Sequence, residues 1–315
     1  MSAPSPVQAP ARVPAAGGLA PLQHAAPDPT AERATRRRRP YAWARRMKLA
    51  WAGVAILTIV VLLAIGAPLI APYDPAAIAL ADRLKPPGTP GYLLGTDPLG
   101  QDVLTRVIYG ARISLFVGFV VVAISGALGI TLGLISGFYG GLIDDLIMRV
   151  AEIQLAFPNI ILYVAVMAVL GPGLDKVIVV MGIVGWVTYS RIERGMVLST
   201  KEREYVQAAR ALGASNGRII LRHILPNTLG PITVVASFAL ATTIITEASL
   251  SFLGLGVPPS VPSWGNMLAS GRNYVQSGWW VATFPGIAIT LTVIAINLIS
   301  DWLRDELDPM LRSQD

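Results

Sequence analysis

The chain has 315 residues, of which 53% are hydrophobic and only 14% charged, against roughly a quarter charged in soluble domains. Cysteine is absent and there are two histidines, His24 and His223; this excludes disulfides and thiolate chemistry and leaves a His-rich metal site without ligands. The net charge of +6 does not point to nucleic acid, because Arg36–Arg39 and Arg45, Arg46 and Lys48 stand directly before an apolar run, where basic residues flank a membrane span on its cytoplasmic side.

Residues 1–40 are rich in Pro, Ala and Ser and bury too little apolar surface to fold alone, which predicts a disordered cytoplasmic tail. The uncharged run 50–71 is long enough to cross a hydrocarbon core of roughly 30 Å. It is too long and starts too far along the chain for a cleaved signal peptide. Five further spans are predicted: 113–135, 146–170, 177–196, 229–251 and 281–300. Segment 146–170 is the weakest, because Arg149, Glu152, Gln154 and Pro158 interrupt it. Such polarity belongs inside a bundle or along a wet path, and Phe157-Pro158 predicts a kink.

The fold class that follows is an all-α integral membrane protein of six transmembrane helices with both termini cytoplasmic. With that topology 19 of the 25 Lys and Arg lie inside and 6 outside, as the positive-inside rule requires. The chain divides into the tail 1–40, a first span with an outer Pro/Gly-rich cap loop over 41–112, and a core of five spans over 113–312. Trp264, Trp279 and Trp280, in or next to the second outer segment 252–280, suit the membrane–water interface.

The loop 197–228 is a polar, basic, helix-prone island between apolar spans. Residues 201–212 predict a helix with Thr200 as a possible N-cap. Gly213 fits a left-handed stop, Ser215 caps a second short helix, and Pro226 closes it. Tyr205, Ala208, Ala209 and Leu212 share one face, a smooth apolar ridge ringed by Arg203, Arg210, Arg218 and Arg222. Such a ridge suits insertion into a groove of a soluble partner; the competing reading is an amphipathic loop on anionic lipid.

Few residues offer chemistry. Arg149 and Glu152 are three apart and share a helical face; they form either a buried bundle pair or a piece of the pathway. Glu193 lies between Arg191 and Arg194 and predicts an interfacial ion pair. Glu247 is a lone acid late in an apolar span, either a gate or substrate-amine contact or an acceptor for nearby hydroxyls such as Thr246 and Ser249. Asp97 and Asp102 sit in a turn-rich segment, as turn caps or as contacts for an outer partner. There is no catalytic dyad, no metal set, and no Gly-x-x-x-x-Gly-Lys-Ser/Thr phosphate cradle. An intramembrane enzyme is therefore disfavoured. An ion-coupled secondary transporter would need inverted repeats and paired intramembrane acids, and no repeat is evident.

Ala208, Ala209, Gly213, Leu225 and Pro226 match the Glu-Ala-Ala, Gly, Ile-x-Leu-Pro pattern of the "EAA" loop in ABC importer permeases, with Gln207 in the glutamate slot and His223 in the isoleucine slot. The run Leu94–Leu115, the stretch Glu247–Gly256 followed by Pro262-Ser-Trp-Gly265, and Asp301–Pro309 resemble the C-type permeases of the dipeptide/oligopeptide (Dpp/Opp) family over about 45–312. The resemblance implies a type I importer permease in the cell inner membrane, coupled to ATPases through 201–227. Glu204, Tyr205, Gln207, Ala208, Ala209, Arg210, Leu212, Gly213, Leu225 and Pro226 would then form the coupling set. It further implies a B-type permease, one or two ABC ATPase subunits carrying ATP and Mg, an extracytoplasmic binding protein, and no cofactor in this chain. Short peptides are the favoured substrate, with nickel or another small solute as the alternative.

Overall fold

The backbone of residues 29–307 and the side chains of 47–307 are described by a computed structural model. The expected tail is therefore outside the described residues up to position 28, and its last part is helical: α1 runs Pro29–Ile65. The chain divides into two compact units, 1–44 and 45–315, and everything below concerns the second.

Among the described residues there is no strand, and α-helices follow one another along the chain. After α1 come the one-turn α2 (Ala67–Ile70), a cap of turns, and then α3 (Val103–Tyr139), α4 (Gly141–Leu155), α5 (Asn159–Leu170), α6 (Leu174–Val184) and α7 (Trp186–Thr200). Next are α8 (Glu204–Ala211), α9 (Asn216–Ile219), a widened π-helical turn at Ile220–Ile224, α10 (Leu225–Phe252), α11 (Trp264–Gly271) and α12 (Trp280–Leu307).

Four helical stretches are long and apolar enough to cross a membrane: Met47–Ile65, Val103–Tyr139, Asn216–Phe252 and Trp280–Leu307. A fifth is available if α4 and α5 count as one, and they are bent by 84° at the break before Asn159, where Pro158 removes a donor and fixes φ. The sixth expected span, 177–196, is occupied by α6 and α7, of 11 and 15 residues, which meet at Gly185. Carbonyls at that junction are taken by side chains. Gln154 Nε2 donates to Val184 O at 2.6 Å and Ser125 Oγ to Gly182 O at 2.9 Å, as a break within a membrane protein requires. The polarity that weakened 146–170 in the sequence is thus partly explained, since Gln154 also accepts from Trp186 Nε1.

Helix α3 is the spine. Its 37 residues reach about 55 Å, well beyond the 113–135 read from hydropathy, because Asp102 caps it ten residues earlier through Thr105 N at 2.8 Å. Down one face it carries Gly129, Gly133 and Gly137, four apart. A Cβ added at Gly129 would collide with Trp186 O, and one at Gly133 would stand 2.6 Å from Ser190 O. This small-residue stripe lets the α3 and α7 backbones approach closely.

The cap sits on the first turns of α3. Asp97 accepts from Leu99 N and Gln101 N and forms a buried ion pair with Arg106 at 3.0 Å. Trp280 Nε1 donates to Thr96 O, and Trp264 Nε1 to Val107 O. These two tryptophans are buried rather than interfacial, because each indole N–H is spent on a backbone carbonyl of the cap or of α3; Trp279 alone of the three is exposed. At the cap's surface Lys85 pairs with Asp82 and Tyr92 donates to it. Lys85, then Tyr92, hold the Asp82 carboxyl below the usual carboxylate range, and the same bond, aided by burial, pushes the Tyr92 phenol up to about 12.

Candidate functional site

The loop 197–228 is built from the end of α7 to the start of α10. Thr200, expected to cap the next helix, is instead the last residue of α7. The following helix, α8, begins at Glu204 after an extended Arg203 that makes no side-chain cap. Its end is a Schellman turn: Ala214 N bonds Ala209 O at 3.1 Å and Gly213 N bonds Arg210 O at 3.0 Å, with Gly213 at φ 79°. Only glycine takes that left-handed conformation without strain. Ser215 occupies the N-cap position of α9 with no side-chain bond.

Pro226 does not close the second helix, contrary to the sequence expectation. The chain runs through the π-helical turn straight into α10, where Pro226 lies in the first turn, a position at which its missing N–H has no intrahelical role. Leu225, beside it, packs against the loop's apolar base.

That base explains how a polar loop holds a fixed shape. Val206, Ile219 and Ile224 are fully buried against Leu134 and Phe138 of α3 and Val197 of α7. Polar ties add to it: Lys201 Nζ donates to Gly137 O at 2.9 Å, and Gln207 Nε2 to Lys201 O at 2.9 Å. Gln207 therefore faces back toward α7 and fastens α8 down. Arg210 lies over the Phe138 ring at 5.8 Å.

Above the base, the predicted ridge is left uncovered. Tyr205 is 39% exposed and Leu212 89%; Ala208 is exposed and Ala209 half-buried. Glu204, Arg203, Arg210, Arg218 and Arg222 are exposed around them. A rigid platform with a small-residue apolar ridge and a cationic rim can enter a groove bordered by acids.

The remaining candidates separate sharply. Glu247 is fully buried, near the C-terminal end of α10. It accepts from Ser114 Oγ at 3.3 Å and Ser251 Oγ at 2.8 Å. Thr246 and Ser249, the hydroxyls expected beside it, bond carbonyls of their own helix instead. Arg149 and Glu152 pair at 3.1 Å with side chains 75% and 64% exposed, so they are not the buried bundle pair that is one reading of the sequence. Their α4 face, with Leu142, Leu146 and Ile153 also exposed, is left uncovered by the described residues. Asp97 and Asp102 are buried caps, as described.

Glu193 does not pair with Arg191 or Arg194. It turns inward, accepting from Thr228 Oγ1 at 2.7 Å, while Arg194 forms two bonds to Asp144 at 2.6 and 2.5 Å. This Asp144–Arg194 clamp and the glycine stripe escaped the sequence reading. The spacing of four along 129, 133 and 137 was the available signal for the stripe; a pairing fifty residues apart had none.

Comparison with known proteins gives the site its context. Residues 129–313 match the family described as binding-protein-dependent transport system inner membrane component, and residues 42–87 the N-terminal TM domain of oligopeptide transport permease C. A dipeptide transport system permease protein DppC of Alkalihalophilus pseudofirmus is 46% identical over 271 residues, covering 85% of this chain and 88% of the relative. An oligopeptide transport system permease protein OppC of Bacillus subtilis is 41% identical over 268 residues, at 85% and 88% coverage. Among solved structures, one of the inward facing conformations of the MetNI methionine ABC transporter superposes with a TM-score of 0.53 at 20% identity, over 65% of this chain and 97% of that one; at that identity the likeness concerns the fold. The chain belongs to the binding-protein-dependent inner membrane components, in the dipeptide/oligopeptide C-type branch, and is a permease subunit of an ABC importer, a transport protein and not an enzyme.

Proposed function

We propose that this chain forms half of a translocation pathway for short peptides in the cell inner membrane. It would span six times with both termini inside, paired with a B-type permease. One or two ABC ATPase subunits, which carry the ATP and Mg, would dock on residues 201–227, and an extracytoplasmic binding protein would deliver the substrate. Peptides are favoured over nickel or another small solute because relatives named for dipeptide and oligopeptide transport match over most of this chain.

The observation that carries the docking role is the exposed ridge of Tyr205, Ala208, Ala209 and Leu212 on a fully buried apolar base. A loop that merely lay on lipid would have no need of a Schellman-stopped helix fastened to α3 and α7. ATP binding on the partners would then bias a two-state pathway by moving this platform. Arg149 and Glu152, charged and uncovered on a bent helix pair, would line a wet path or face the second permease. Glu247, with its hydroxyl partners all inside this chain, keeps the outer end of α10 in register and is a weaker gate candidate.

The test is co-purification. Tagged chain extracted in mild detergent should bring along ATPase subunits, and Ala209→Glu, which puts a charge into the ridge, should lose them while reaching the membrane at normal abundance. Retention of the ATPases by Ala209→Glu would refute docking through this ridge. Uptake of labelled alanyl-alanine, competed by other dipeptides and not by nickel, would fix the substrate class.

A further inference from the structure

Glu193 and Thr228 bracket the docking loop. One lies four residues before Val197, the other at the loop's last position, and both side chains have no exposed surface. Their bond of 2.7 Å closes the loop's two ends on each other, joining α7 to the first turns of α10. The root of the Glu193 side chain packs closely on α3, where a Cβ on Gly133 would stand 2.7 Å from Glu193 Cβ. Among the described residues the other Glu193 carboxylate oxygen has no partner, and neither do the buried hydroxyls of Tyr189 and Ser190, one turn earlier on α7.

A buried carboxylate with one bonded oxygen is a costly way to fill space, and such a group calls for a reason. If α10 parted from α7, Glu193 would lose the one partner it has. The two helices are therefore favoured to move together. The next residue, Arg194, holds Asp144 of α4, so consecutive residues of α7 grip the exit of the docking loop and the helix that leads into the 84° bend.

We infer that Glu193 and Thr228 are positioning residues for transport: their bond makes the docking loop a lever with both ends fixed, so that displacement of the loop reaches the membrane helices. The inference rests on the docking role proposed above. Without the bond, a partner could still dock and hydrolyse ATP, but the loop would flex against α10 and the stroke would be lost.

The experiment uses the whole complex, purified through a tag on this chain, returned to liposomes and given its binding protein, ATP and labelled alanyl-alanine. Both ATP hydrolysed and peptide moved are counted. Thr228→Val should bind ATPase subunits normally and keep hydrolysis, yet move about tenfold less peptide per ATP, the size of an ordinary coupling between sites. Thr228→Ser and Glu193→Gln, which keep a donor and an acceptor, should restore most of that ratio, and Glu193→Ala should not. An unchanged ratio in Thr228→Val overturns the tie and leaves docking intact. So does loss of ATPase subunits from Thr228→Val with full coupling in the complexes that remain, since the hydroxyl would then only fold the loop. Wild-type chain that brings no ATPase overturns the docking role, and the tie with it.

Discussion

The two large connections of this permease, the cap between α2 and α3 and the loop between α7 and α10, are stabilised in opposite ways. Where the cap meets α3 its acids turn inward: Asp97 is buried with Arg106 of α3, Asp102 caps that helix, and the Trp280 indole reaches in to a cap carbonyl, leaving the Lys85–Asp82 pair at the surface. The loop buries valine and isoleucine and leaves its charges, and an apolar ridge, outside. A connection whose polar groups are consumed internally has little to offer a partner at those positions. One that exposes Leu212 beside four arginines on a fixed base offers an apolar patch with a cationic rim, the kind of surface a partner covers. On the function proposed above, this difference would give Asp97 and Asp102 to folding and the ridge to recognition.

The strongest way to break that contrast is to remove one member of the cap's ion pair. Arg106→Ala leaves Asp97 buried without its counter-charge, and losses of this kind run to about 3–5 kcal/mol. The detergent-solubilised chain should melt far earlier or fail to accumulate in the membrane. If Arg106→Ala melted like wild type while uptake fell, the pair would belong to recognition after all, and the contrast would be reversed. Gly133→Ala comes next. In an exposed helix the change stabilises by about 0.5–1 kcal/mol, but here the new methyl meets backbone of α7 at 2.6 Å, and overpacking of that sort costs about 1–3 kcal/mol. A higher melting temperature in Gly133→Ala would mean that α3 and α7 are not held in the close packing described.

The sequence was most readable where one residue type dictates the backbone. Gly213 at φ 79° and the break at Pro158 were both visible in advance, because glycine and proline act through their own φ preference. Apolar runs located the long helices but not their ends: α3 starts ten residues before the hydropathy does, since its first turns are stabilised by Asp102 and the Asp97–Arg106 pair rather than by lipid. The loop's ridge was legible from the helical spacing of 205, 208, 209 and 212. What lay beneath it was not. The sequence alone points Glu193 to its neighbours Arg191 and Arg194, yet helical geometry turns adjacent residues about 100° apart, so Glu193 and Arg194 face α10 and α4 separately. Pairings such as Thr228 with Glu193 and Arg194 with Asp144 join residues 35 and 50 apart, and nothing local in a single chain announces them. Pro226 is ambiguous in the sequence for a related reason: proline is as acceptable in the first turn of a helix as after the last, and only the π-helical turn before it decides which.

Smaller effects sharpen the comparison on the loop side. Gly213→Ala meets no neighbour but must hold a positive φ, at about 1 kcal/mol. The strain is local to the α8–α9 turn, so melting of the whole chain should barely change while ATPase recovery in the tagged preparation falls. Equal recovery would mean that the partner does not read the angle between α8 and α9.

Arg149→Ala should be the mildest of all for stability, since an ion pair this exposed contributes at most about 0.5 kcal/mol. That mildness makes it informative. The pair lies on a helix face that this chain leaves open, in a segment too charged to meet lipid comfortably. If the face lines the path or meets the second permease, Arg149→Ala and Glu152→Ala should each lower the uptake rate with melting and ATPase recovery unchanged. Reduced recovery of the second permease alone would place the pair at the subunit interface, and full uptake by both variants would confine it to an ordinary surface contact. A residue pair that matters little to the fold of one subunit can still matter to the assembly, and the uncovered face of α4 is where this chain's own packing stops.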